Sequence, residues 1–136
     1  DLARYDRYYL EKRTFGCSKA NTRERTYDVF SDNGNARRLV TDLDVGEWVV
    51  FGNGLDYCVT TTVDGLLRAG QRVCVLRDVL VAGAGGDAET RERLLADFAR
   101  RGVTLRSLAE LHAWLPAEAA TTPAASCSGL RWFILL

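Results

Sequence analysis

Short, unbroken apolar runs alternate with segments of helical period through the middle of this chain. Trp48-Val49-Val50-Phe51 ends at Gly52. Val73-Cys74-Val75-Leu76 is a second run, and Val103-Thr104-Leu105 is a third. Runs without polar alternation suit strands buried on both faces of a parallel sheet. Between them, Ala36, Leu39, Val40 and Leu43 fall at i, i+3, i+4 and i+7. Val59, Val63, Leu66 and Leu67 follow at i, i+4, i+7 and i+8, and Leu94, Leu95 and Phe98 recur within 88–101. Each set draws an apolar stripe along one helix face. Asn33 or Asn35 can cap the first helix, Asp56 the second and Asp87 the third. Gly70 and Gly102 stand where the second and third should stop. This order predicts an α/β fold, a three-layer α/β/α arrangement around a mainly parallel sheet. Tyr8-Tyr9-Leu10 is read as one more short strand. Ser107 to Leu115 is read as a last short helix, closed by Pro116.

The 136 residues fit a single domain. Eighteen basic and 18 acidic side chains cancel, which argues against nucleic acid or an anionic membrane as partner. No apolar run approaches the roughly 20 residues of a membrane span. Cys17, Cys58, Cys74 and Cys127 match no zinc spacing, and His112 is the only histidine, so no metal is expected. Free thiols in a reducing cytoplasm are expected. Residues 82–86 are glycine-rich, match no phosphate-binding fingerprint and read as a linker. Residues 1–115 are assigned to the domain. Residues 116–136 are assigned to a tail rich in Ala, Thr, Ser and Pro that ends in the apolar Leu130-Arg131-Trp132-Phe133-Ile134-Leu135-Leu136. With no methionine and Asp1 at its start, the chain reads as processed or as a piece of something longer.

In open α/β sheets the ligand site lies beyond the carboxyl ends of the strands. There the sequence places Gly52-Asn53-Gly54-Leu55-Asp56-Tyr57-Cys58. A buried strand ends, two glycines permit a tight turn, and Cys58 falls in the first turn of the next helix. A helix N-terminus favours a thiolate and offers N–H groups to an oxyanion. On the residues alone, Cys58 reads either as a nucleophile or as a packed thiol, and Asp56 as a helix cap.

The block Gly52-Asn53-Gly54-Leu55-Asp56-Tyr57-Cys58-Val59, with Thr62 and Leu66-Leu67-Arg68-Ala69-Gly70-Gln71-Arg72-Val73, resembles the isochorismatase-like cysteine hydrolases, a superfamily that includes nicotinamidases and N-carbamoylsarcosine amidase. Leu10-Glu11-Lys12-Arg13-Thr14-Phe15 resembles the strand that ends in the family's catalytic lysine. The resemblance implies that Cys58 is the nucleophile and that Lys12 belongs to an Asp-Lys-Cys triad, its charge favouring the thiolate. Lys19 is the fallback for that lysine. It also implies an oxyanion hole from the backbone N–H groups of Gly54 and Cys58, and a cis peptide bond at Asn53–Gly54. The expected reaction is hydrolysis of a small amide-type or isochorismate-like substrate through a thioester, without cofactor, by a protein that can form homo-oligomers. Nothing matches the family's aspartate, so the N-terminal strand is expected to be missing. Residues 16–26 read as an inserted loop, and the usual Val-Ala of the turn is Asn53-Gly54. A non-catalytic α/β binding or assembly module is the alternative, and a redox-sensing thiol protein is a third.

Overall fold

The structure, a computed structural model, describes residues 10, 33–43, 45–81, 86–114 and 132–135. Helix α1 (Gly34–Asp42) starts at Asn33, whose side-chain oxygen accepts from Asn35 N–H at 3.0 Å. Strand β1 (Glu47–Asn53) leads into a π turn (Leu55–Val59) that continues as helix α2 (Thr60–Arg68). Strand β2 (Val73–Val81), helix α3 (Ala88–Arg100), strand β3 (Thr104–Arg106), helix α4 (Leu108–Trp114) and strand β4 (Trp132–Leu135) complete the described chain.

The strands form one sheet in the order β3-β2-β1-β4, with every neighbouring pair parallel. The fold is α/β, as the alternation of runs predicts. Successive residues of a strand point to opposite faces, and the packing follows that rule. Trp48 and Val50 of β1, with Val73 and Val75 of β2, pack with Ala36, Val40, Val63, Leu66, Leu95 and Phe98 from the helices. Val49, Cys74 and Leu76 face the other way and pack with Leu111 of α4. Two separate cores explain why the strand runs are apolar at every position.

The helix ends are set by local chemistry. The Asp87 carboxylate accepts from Thr90 N–H at 2.7 Å and starts α3. At the end of α2, Gly70 N–H donates to Leu67 O and Gln71 N–H to Leu66 O. At the end of α3, Gly102 N–H donates to Ala99 O and Val103 N–H to Phe98 O. Both are Schellman closures and require the left-handed φ of 71° at Gly70 and 83° at Gly102.

Three sequence expectations meet a longer or different element. Strand β2 runs past the apolar run to Val81, with its pairing to β1 interrupted between Val75 and Leu80. In that interruption Arg77 bonds Glu110, and Asp78 accepts from Leu108 N–H, so the irregular stretch ties down α4. Residues 132–135, from the apolar end assigned to the tail, pair beside β1 with Trp48 opposite Phe133 and Val49 opposite Ile134. Leu10 has no regular structure and packs against the first core. Tyr8, Tyr9 and residues 16–26, 82–85 and 115–131 lie outside the described residues.

Candidate functional site

Strand β1 delivers the chain to the carboxyl end of the sheet, where Gly52 and Gly54 turn it into the helix. Their φ values are 140° and 81°, conformations that favour glycine. The Asn53–Gly54 bond is trans, which corrects the cis expectation. The change of direction is made by the two positive φ values instead. Asp56 is not the cap. The left-handed Gly54 occupies the cap position, and Asp56 sits within the first turn.

The first turn is a π turn. Gly54 O accepts from Tyr57 N–H at 2.9 Å and from Val59 N–H at 3.1 Å. Leu55 O accepts from Thr60 N–H and from Thr60 Oγ1, the latter at 2.5 Å. Cys58 lies on this turn with its thiol exposed and unbridged. A Cβ on Gly54 would lie 3.8 Å from Cys58 Sγ, so the thiol lies close to the Gly54 backbone. Gly54 O does not accept from Cys58 N–H, the donor four residues on.

Gly54 N–H donates to Val81 O at 3.1 Å, where β1 and β2 end together. That corrects the expectation for Gly54, because an engaged donor does not serve a substrate oxygen. Lys12 and Lys19 lie outside the described residues. The structure thus brings Gly54 and Cys58 together with Asp56 one residue into the turn.

A shallow surface depression lies beside the turn, lined by Leu55, Asp56, Gly86, Thr90, Arg91 and Leu94. It encloses no appreciable volume, so it is not a formed small-molecule pocket. The Arg91 guanidinium donates to Arg77 O, which holds it against the end of the sheet. Sequence reading missed Thr60, Thr90 and Arg91. They belong to helices, where their spacing marks only solvent-side positions, and no motif contains them.

No protein-family model matches the chain, and no curated protein or solved structure is similar to it.

Proposed function

We propose that this protein is a cysteine-dependent hydrolase of a small amide-type or isochorismate-like substrate, with Cys58 as nucleophile. One observation carries the reading: an exposed thiol on the first turn of a helix, at the carboxyl end of a parallel strand, with its own N–H not taken by Gly54 O. For an amide, Cys58 Sγ attacks the carbonyl carbon and the oxygen takes the negative charge. On this reading the Cys58 N–H binds that oxygen, and the helix N-terminus supports the charge. Collapse breaks the C–N bond, the amine leaves with a proton, and a thioester remains. Water then attacks the thioester, releasing the carboxylic acid and the thiol. Lys12 is assigned the role of favouring the thiolate, on the resemblance of its segment to the isochorismatase-like hydrolases. The reading needs no cofactor or metal, and sets the protein in a reducing cytoplasm as a single species or homo-oligomer.

A second reading is favoured by the engagement of Gly54 N–H with Val81 O, which leaves one oxyanion donor fewer. On that reading the domain binds or assembles without catalysis. Ammonia release from a panel of small carboxamides separates the two. The expected result is turnover that disappears in Cys58→Ala and Cys58→Ser. Turnover that survives Cys58→Ala rules out Cys58 as nucleophile, and no turnover on any carboxamide or isochorismate favours the binding module.

A further inference from the structure

In an α-helix that begins at Gly54, the N–H four residues on belongs to Cys58 and would donate to Gly54 O. The π turn changes that assignment. Gly54 O is taken by Val59 N–H, five residues on, and by Tyr57 N–H, three residues on. Cys58 N–H is passed over. The same shift at the next carbonyl gives Leu55 O to Thr60 N–H. Thr60 then adds its hydroxyl to Leu55 O at 2.5 Å. Thr61 Oγ1 donates to Cys58 O at 3.2 Å, on the far side of the nucleophile's peptide. Two contacts from one residue thus fix the carbonyl that opens the turn. Single π turns inside helices are rare and recur at functional sites.

We infer that Thr60 is a positioning residue: its hydroxyl locks the π turn and so keeps the Cys58 N–H from closing onto Gly54 O, leaving it to serve the oxyanion of the reaction. This rests on the hydrolase reading above. Its hydroxyl contacts Leu55 O, so its effect reaches Cys58 through the turn. Without its hydroxyl, the turn relaxes toward α geometry, and Cys58 N–H closes onto Gly54 O.

Two variants of the full chain test this. Thr60→Val keeps the branched shape without the hydroxyl, and Thr60→Ser keeps the hydroxyl without the methyl. Amide hydrogen exchange at Cys58 reads the turn directly and needs no turnover. The expected result is slower exchange at Cys58 in Thr60→Val and exchange as in the parent protein in Thr60→Ser. On the most active carboxamide, kcat falls about 100-fold in Thr60→Val with KM unchanged, the scale of losing one oxyanion donor, and Thr60→Ser restores it. Unchanged exchange in Thr60→Val overturns the lock. Slower exchange with unchanged kcat overturns the positioning role while leaving the hydrolase reading intact. If the parent protein turns over no substrate, the hydrolase reading fails and the catalytic role of Thr60 fails with it, whereas the lock itself is still decided by exchange.

Discussion

Two cysteines in the described structure stand in opposite conditions. Cys58 is exposed on the π turn, and Cys74 is fully buried on β2. Burial pushes the Cys74 thiol up to about 11, and the Glu47 carboxylate adds to the effect while Arg106 opposes it. An unfolded cysteine loses its proton near 9.0. Between that pH and about 11 the unfolded chain binds fewer protons than the native one, so stability falls as pH rises through this window and is unaffected below it. Urea midpoints of the parent protein and Cys74→Ala across that window should show this loss in the parent alone. Peptide mapping after brief iodoacetamide treatment of native protein should find label on Cys58 and none on Cys74. Glu47, 5% exposed, is the buried charge next to Cys74. Its carboxylate accepts from Thr104 Oγ1 at 3.3 Å and lies 3.7 Å from Arg106, whose guanidinium stacks on Trp114 at 3.8 Å. Glu47→Ala leaves Arg106 facing a cavity without its counter-charge. Breaking a buried pair costs about 3–5 kcal/mol. Because Arg106 retains some solvent access, about 2–3 kcal/mol is expected here, read from urea denaturation.

The elements were legible in the sequence to the extent that local chemistry decides them. Asp87, Gly70 and Gly102 mark helix ends because a side-chain oxygen or a positive φ is needed at those positions whatever the tertiary fold. The π turn was not legible, because it depends on which N–H reaches Gly54 O, and Leu55-Asp56-Tyr57-Cys58-Val59 suits an α turn equally well. The full length of β2 was hidden by Arg77 and Asp78, polar residues whose bonds to Glu110 and to Leu108 N–H involve elements distant in sequence. Hydrogen bonds also lower carboxyl pKa values: Thr90 N–H holds the Asp87 carboxyl below its ordinary range, and Ser107 N–H, then Arg77, does so for Glu110. Their stabilising effect is present above the ordinary carboxylate range and is lost as pH falls through the lowered values. The glycines separate shape from chemistry. At Gly102 a Cβ meets nothing within 4 Å, so Gly102→Ala carries only the left-handed backbone penalty, about 1 kcal/mol. At Gly54 the same penalty applies, and the new Cβ lies against Cys58 Sγ. Both variants should lose similar stability in urea, but only Gly54→Ala should also slow alkylation of Cys58.

At the scale of the whole molecule, the alternation of runs was enough to read a parallel sheet with helices on both faces, since strands covered on both sides must be apolar throughout. The place of the chain's apolar end was not readable. Trp132-Phe133-Ile134-Leu135 has the composition of a strand, but its partner lies far back in sequence, and no local signal names β1. In the structure it lies on the side of β1 away from β2, with Glu47 opposite Trp132 and Val50 opposite Leu135. Among the described residues it makes β1 a central strand rather than an edge. An uncovered edge exposes unpaired N–H and C=O groups and invites association with another chain. Strand β1 also leads directly into the π turn, so loosening it reaches Cys58 through Gly52 and Gly54. A chain ending at residue 131 should therefore melt several degrees lower, the scale of losing about 1 kcal/mol in a domain of this size. Its β1 amides should exchange faster, and it should self-associate on heating. Unchanged melting and exchange would mean that β4 contributes nothing to the sheet, and that β1 is held by β2 and the helix-side core alone.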